Sequence, residues 1–235
     1  MISRGASAFL AGILLAACGQ ASSGPSASPK STPKPTPTPT AAPETMTVSI
    51  LTTGVGAWQL LAIPVAILHN DAQRHGAEEV VVHFATHAPG GGALGTLDSP
   101  PVNLAPGETI PVAADCTDGC NGAASTDATL SVGTWTPTIG ATLSAATAMY
   151  QCETGACSGG RAEGQATSTL SASGVGLAAN APIAAFAACT DGGGTIVGAG
   201  VTQTSWTGGS SNPVNVPVIV NSPPASCQVG ASTGW

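Results

Sequence analysis

Gly and Pro interrupt the apolar runs of this chain so often that few segments after Thr45 exceed the length of one strand. A helix needs ten or more uninterrupted residues with an apolar stripe at a period of 3.6, and no convincing stripe of that kind is present outside the N-terminal segment. What recurs instead is short alternation bounded by turn residues. In "AEEVVVHFATH", Val80, Val82 and Phe84 fall on one face and Glu79, Val81, His83 and His87 on the other. The expectation is therefore an all-β chain with hairpins at Gly90 to Gly92, Pro106-Gly107 and Gly192 to Gly194.

The region that can fold begins near residue 46. From Ser22 to Glu44 the chain is Pro, Ser, Thr and Ala with only Lys30, Lys34 and Glu44 charged, a composition that cannot bury a core. It reads as a disordered to polyproline-II stalk, and from Gly19 to Glu44 it would reach on the order of 80 Å at about 3.1 Å per residue. Before it, an apolar stretch from about Ala6 to Ala17 follows the single positive charge Arg4 and is too short to span a bilayer of about 30 Å. That is the layout of a secretory signal peptide.

Leu15-Ala16-Ala17-Cys18 resembles a bacterial lipobox. The resemblance implies that the Cys18 thiol is lipidated and that cleavage occurs just before it, so that two acyl chains hold the protein at the membrane where one would be marginal. The segments expected are thus 1–17 signal peptide, 18–45 lipid-anchored linker, 46–125 a first β-sandwich and 126–235 a second. The localisation that follows is extracytoplasmic, at the bacterial cell membrane or outer membrane and on the cell surface.

Charge excludes some partners. Charged residues are 7% of the chain, and the net charge is -7. Beyond the linker the only basic side chains are Arg74 and Arg161, so nucleic acid, whose binding relies on Lys and Arg at the phosphates, is not a partner. The expected partners are the membrane, through the N-terminal lipid, and a protein or glycan ligand.

Six cysteines remain besides Cys18. An even number in an exported chain points to disulfides, and the expected pairs are Cys116 with Cys120, Cys152 with Cys157, and Cys189 with Cys227. The alternative is a four-thiolate zinc site built from the C-x3-C and C-x4-C spacings. All four histidines, His69, His75, His83 and His87, lie within one short stretch, which raises zinc or copper binding as an alternative function. On one strand His83 and His87 would share a face at about 13 Å, too far apart to hold one ion together.

Val55-Gly56-Ala57-Trp58 recurs as Val132-Gly133-Thr134-Trp135, a spacing of 132 − 55 = 77 residues. Together with the turn pattern this suggests two tandem Ig-like β-sandwich units, the second enlarged by a hairpin around Cys152 and Cys157. Asn70 after an apolar strand, then "VVVHF", then Leu104-Ala105-Pro106-Gly107-Glu108-Thr109 resembles the FxLYD and CARDB group of bacterial extracellular sandwich domains. "CTDGGGTIVGAG" is similar to a hairpin of that group, although the second half shows Trp206-Thr207-Gly208-Gly209 in place of the L-x-P-G-E turn. The resemblance implies a structural or binding module with no catalytic residues.

The residues alone point the same way. There is no G-x-S-x-G; the nearest string, Gly155 to Gly159, centres on Cys157, and the second half contains no histidine to serve as a base. No enzyme activity and no cofactor are expected. A carbohydrate-binding module is a further alternative, with Trp58, Trp135, Trp206 and Trp235 as the candidate contacts.

Overall fold

The computed structural model describes residues 43–116, 119–152, 162–174 and 176–233. Cys18, the signal peptide and most of the linker lie outside the described residues, as do Asp118, Cys157, Arg161 and Trp235. Among the described residues there is no helix, and every sheet is antiparallel. The all-β expectation therefore holds, with facing sheets enclosing the core as in a sandwich.

Among the described residues fifteen strands follow in order. They are β1 (Val48–Trp58), β2 (Leu61–Asn70), β3 (Gly76–His87), β4 (Ala93–Asp98), β5 (Val102–Leu104), β6 (Thr109–Ala113), β7 (Ser125–Ser131) and β8 (Thr134–Thr136). The rest are β9 (Ala141–Ala145), β10 (Met149–Cys152), β11 (Ala162–Gly174), β12 (Pro182–Thr190), β13 (Ile196–Ser205), β14 (Ser211–Val220) and β15 (Ser226–Ser232).

β3 is the axis of one sheet. Its first half pairs with β5 and β8, and its second half with β4 and β7. The change of partners occurs at Glu79, which takes a φ of 55° where the register against β5 shifts. Beyond that kink the alternation follows the sequence pattern. Val80, Val82 and Phe84 are fully buried, and His83 and His87 face outward.

The three-stranded sheet β1-β2-β6 lies between this sheet and a third, seven-stranded one. Two glycines permit the second contact. A Cβ on Gly56 would sit 2.3 Å from the backbone N of Ala199 and 2.4 Å from the carbonyl O of Ile219, so β1 reaches the backbones of β13 and β14 only because Gly lacks one. Gly54 makes the same approach over Ile196.

The seven-stranded sheet runs β10-β11-β14-β13-β12-β15, with β9 also on β11. A bridge between Ala148 and Cys227 brings its far end back toward its start, so the sheet rolls around a core of its own. Inside lie Leu143, Leu170, Trp206, Val216 and Val218 among others. β12 is buried on both faces. Ala184, Phe186 and Ala188 join the core of the first half, while Ile183, Ala185, Ala187 and Cys189 line the rolled sheet.

Two features differ from a simple tandem arrangement. The expected boundary at 125/126 falls inside β7, which is hydrogen-bonded along β3, because β7 and β8 complete the sheet of the first half. From residue 43 onward the described residues form one compact unit sharing the Phe186 face. Nor are the two Val-Gly-x-Trp segments equivalent: the first lies in β1, whereas Val132-Gly133 is the bend between β7 and β8. The last strand, β15, lies at the edge of the seven-stranded sheet against β12.

Candidate functional site

Period-2 alternation along β3 sets the outer face of the β4-β3-β7 sheet. His83 sits between Asp98 on β4 and Thr129 on β7, and Ala85 sits between Thr96 and Asp127. The His83 Nδ1 is 2.7 Å from Asp98 Oδ1, and its Nε2 is 3.1 Å from Ser131 Oγ. A carboxylate only accepts, so Nδ1 carries the proton; in the neutral ring Nε2 then accepts from the Ser131 hydroxyl. Four residues along, His87 Nε2 pairs with Asp127 Oδ2 at 3.1 Å. A depression of about 140 Å³ lies between these groups, bounded by His83, Ala85, Thr96, Asp127 and Thr129.

The other two histidines are elsewhere. His69, on β2, has Nδ1 2.8 Å from Thr109 Oγ1 and Nε2 3.8 Å from Asp71. His75 Nδ1 meets the Glu44 carboxylate, which also accepts from the backbone N–H groups of Gln73 and Arg74. The hydrogen bond from His75, aided by those N–H groups, holds the Glu44 carboxyl below the usual range against the opposing effect of burial. The end of the linker is thereby tied to the loop after β2. Each histidine thus has its own carboxylate, and among the described residues no three His, Cys, Asp or Glu side chains gather as a metal site would require.

The cysteines are joined as the spacing suggested where the described residues reach. Cys116 bonds to Cys120 across a tight loop. Cys189 bonds to Cys227, its directly opposed neighbour on β15. Cys152, at the end of β10, is also disulfide-bonded, and Cys157 lies outside the described residues. Thiols held in disulfides do not supply the four-thiolate zinc site.

A second feature is a cleft of about 380 Å³ where the rolled sheet fails to close fully. The strand edge of β9 with the following Ala146 to Ala148 forms one wall, β15 from Cys227 to Gly230 the other, and Glu108 to Ile110 the floor. Its polar groups are Ser144, Thr147, Thr109 and Gln228, the last donating from Nε2 to the Thr109 carbonyl at 3.2 Å. Among the described residues Glu108 is the one ionisable side chain lining it. Burial raises its pKa to about 7, opposed by the Ala105 N–H that donates to its Oε2 at 2.6 Å.

Glu108 ends the Leu104 to Thr109 turn, and that turn is fastened by Asn70. Asn70 is fully buried; its Nδ2 faces the carbonyls of His75, Leu104 and Ala105 at 3.0 to 3.3 Å, and its Oδ1 accepts from the Ala72 N–H at 3.0 Å. The motif singled out from the sequence is therefore a structural hub beside the cleft.

Of the tryptophans, Trp206 is completely buried and Trp58 and Trp135 are half-buried, so none of the three is an exposed contact. Sequence reasoning did not single out Ser131 or Asp98. They stand 48 and 15 residues from His83, and only strand register joins them. No protein-family model matches the chain, and no curated protein matches its sequence.

Proposed function

We propose that the protein is an exported, lipid-anchored surface protein whose β unit is held on a stalk and presents a binding surface. The cleft between β9 and β15 carries the binding reading, since it offers two strand edges and neutral hydrogen-bonding side chains at one opening. Strand edges with unpaired main-chain groups suit an extended polypeptide, because main-chain hydrogen bonds supply affinity without demanding a particular sequence. Cys116–Cys120 and Cys189–Cys227 support an extracytoplasmic location, where such bonds form and persist. The Leu15 to Cys18 lipobox and the following Pro-rich linker support anchoring. The FxLYD-like Asn70 and Leu104 to Thr109 segments support a module that binds or spaces.

The test has two arms. Cys18→Ser should move the protein from the detergent phase to the aqueous phase in a cloud-point partition; continued full partition with the detergent would defeat the anchor. Ser144→Trp should fill the cleft while leaving the melting temperature within a few degrees. A partner cross-linked to the wild type on intact cells should be lost from that variant, and equal cross-linking by both would defeat the cleft as the binding surface.

A further inference from the structure

Ser131, His83 and Asp98 form a hydrogen-bonded chain on the outer face of the β4-β3-β7 sheet, and among the described residues His83 is the histidine with both ring nitrogens hydrogen-bonded to side chains. The order of atoms matters. Asp98 holds the Nδ1 proton, which leaves the Nε2 lone pair directed at the Ser131 hydroxyl, the relation required of a base toward a serine nucleophile. The group is accessible, with His83 and Asp98 side chains 43% and 65% exposed. His87 beside Asp127 lacks this arrangement, since its carboxylate partner is on Nε2 and, among the described residues, no hydroxyl hydrogen-bonds the other ring nitrogen.

We propose that this chain of groups makes Ser131 an acyl-accepting nucleophile toward small, activated carboxylic esters. Ser131 Oγ attacks the carbonyl carbon and its proton passes to His83 Nε2. The C–O bond to the leaving alcohol then breaks, His83 returns the proton to that oxygen, and an ester of Ser131 remains. Water completes the cycle by the same route: His83 takes its proton, the hydroxide adds to the acyl carbon, and Ser131 leaves with the proton as the carboxylic acid departs. His83 is the base, and Asp98 is a positioning residue that fixes its tautomer.

The surroundings set the substrate class. The adjoining depression of about 140 Å³ admits a short acyl chain. Asp98 and Asp127 border the group, and the Glu79 carboxylate packs against Gly133, two residues past Ser131. Such a neighbourhood favours esters whose alcohol is positively charged and disfavours anionic ones. This site is on a different face from the cleft and does not rest on the binding reading.

The test uses the whole protein and p-nitrophenyl acetate, followed by nitrophenolate release and by peptide mapping of the acetylated protein. The expected result is one preferred acetylation, on Ser131, lost in Ser131→Ala. His83→Gln should slow acylation about 100-fold, in the range of general-base catalysis, with unchanged melting. Asp98→Asn should also slow it, and Asp98→Glu should restore most of the rate, which a merely structural contact would not do. Replacing p-nitrophenyl acetate by acetylcholine, with acetate release followed in place of nitrophenolate, should increase the Ser131-dependent fraction of turnover. Acetyl groups confined to lysines or spread over many hydroxyls would overturn the proposal, as would equal rates in Ser131→Ala and the wild type. The mapping on wild-type protein decides the matter even if a variant does not fold.

Discussion

Removing the Asn70 side chain tests how the cleft is held in shape. The amide nitrogen has two hydrogens and faces three carbonyls, those of His75 and Ala105 at 3.0 Å and Leu104 at 3.3 Å, while its oxygen takes the Ala72 N–H at 3.0 Å. That amounts to three hydrogen bonds at a buried position, each contributing about 1 to 1.5 kcal/mol net. Asn70→Ala is expected to cost about 4 kcal/mol, water entry offsetting part of the penalty for the orphaned carbonyls. Asn70→Asp keeps the shape and the bond from Ala72 but turns an acceptor-only oxygen toward three carbonyl oxygens. At neutral pH it should cost at least as much as Asn70→Ala.

The pH dependence has a definite sign. A carboxyl facing carbonyls in a buried site has its folded-state pKa raised above the unfolded value of about 3.9. Its contribution is most favourable below that value and is lost as pH rises through the folded pKa, so Asn70→Asp should recover relative to Asn70→Ala on acidification. Urea denaturation monitored by tryptophan fluorescence, with disulfides intact, reads both variants. A loss below about 1 kcal/mol for Asn70→Ala, or a neutral-pH Asn70→Asp more stable than Asn70→Ala, would refute the hub.

Three further outcomes follow from the same geometry. Gly56→Ala should destabilise by about 3 kcal/mol or more, because the added Cβ meets backbone atoms at 2.3 and 2.4 Å that cannot rotate away, whereas Gly92→Ala, with open space around it, should be within about 0.5 kcal/mol of wild type in a thermal melt. Glu108 has a folded pKa raised from 4.5 to about 7, so it favours the fold at low pH and that contribution is lost as pH rises across this interval; Glu108→Gln should flatten the stability profile between pH 4.5 and 7, and an unchanged profile would count against its burial. Replacing Cys189 and Cys227 by Ala opens a loop of sequence separation 38, for which chain entropy predicts a loss of about 4 kcal/mol, measurable by the same denaturation.

Local features were legible in the sequence. The alternation of Val80, Val82 and Phe84 gives their burial directly, because strand side chains have a period of two. The Gly192 to Gly194 turn forms as expected, with the Asp191 side chain accepting from the N–H groups of Gly193 and Thr195 at 2.9 Å. Cys189 and Cys227 could be matched because few alternatives remained once the close pairs were set aside.

Long-range features were not legible. "PIAAFAACT" reads as one apolar run, and nothing in its period says that Phe186 and Ala187 face different cores. The boundary at 125/126 failed to anticipate β7 because its alternation does not say which sheet it joins. The histidines looked like one cluster in sequence, yet each meets a different carboxylate: His83 and His87 through strand register, His69 through Asp71 just past the end of β2, and His75 through Glu44 at the end of the linker. The same register assembles Ser131, His83 and Asp98, a juxtaposition that spacing could not reveal.

The proposed oxidised, lipid-anchored surface protein is tested most directly by the intact mass of the mature protein extracted from its native membrane and alkylated without reduction. The expected result is a chain beginning at Cys18 with diacylglyceryl on its thiol, no alkyl groups added, and a mass about six hydrogens below that of the same lipidated chain fully reduced, from three thiol-pair oxidations. A soluble chain with an unmodified Cys18, or one alkylated at four or more thiols, would contradict it.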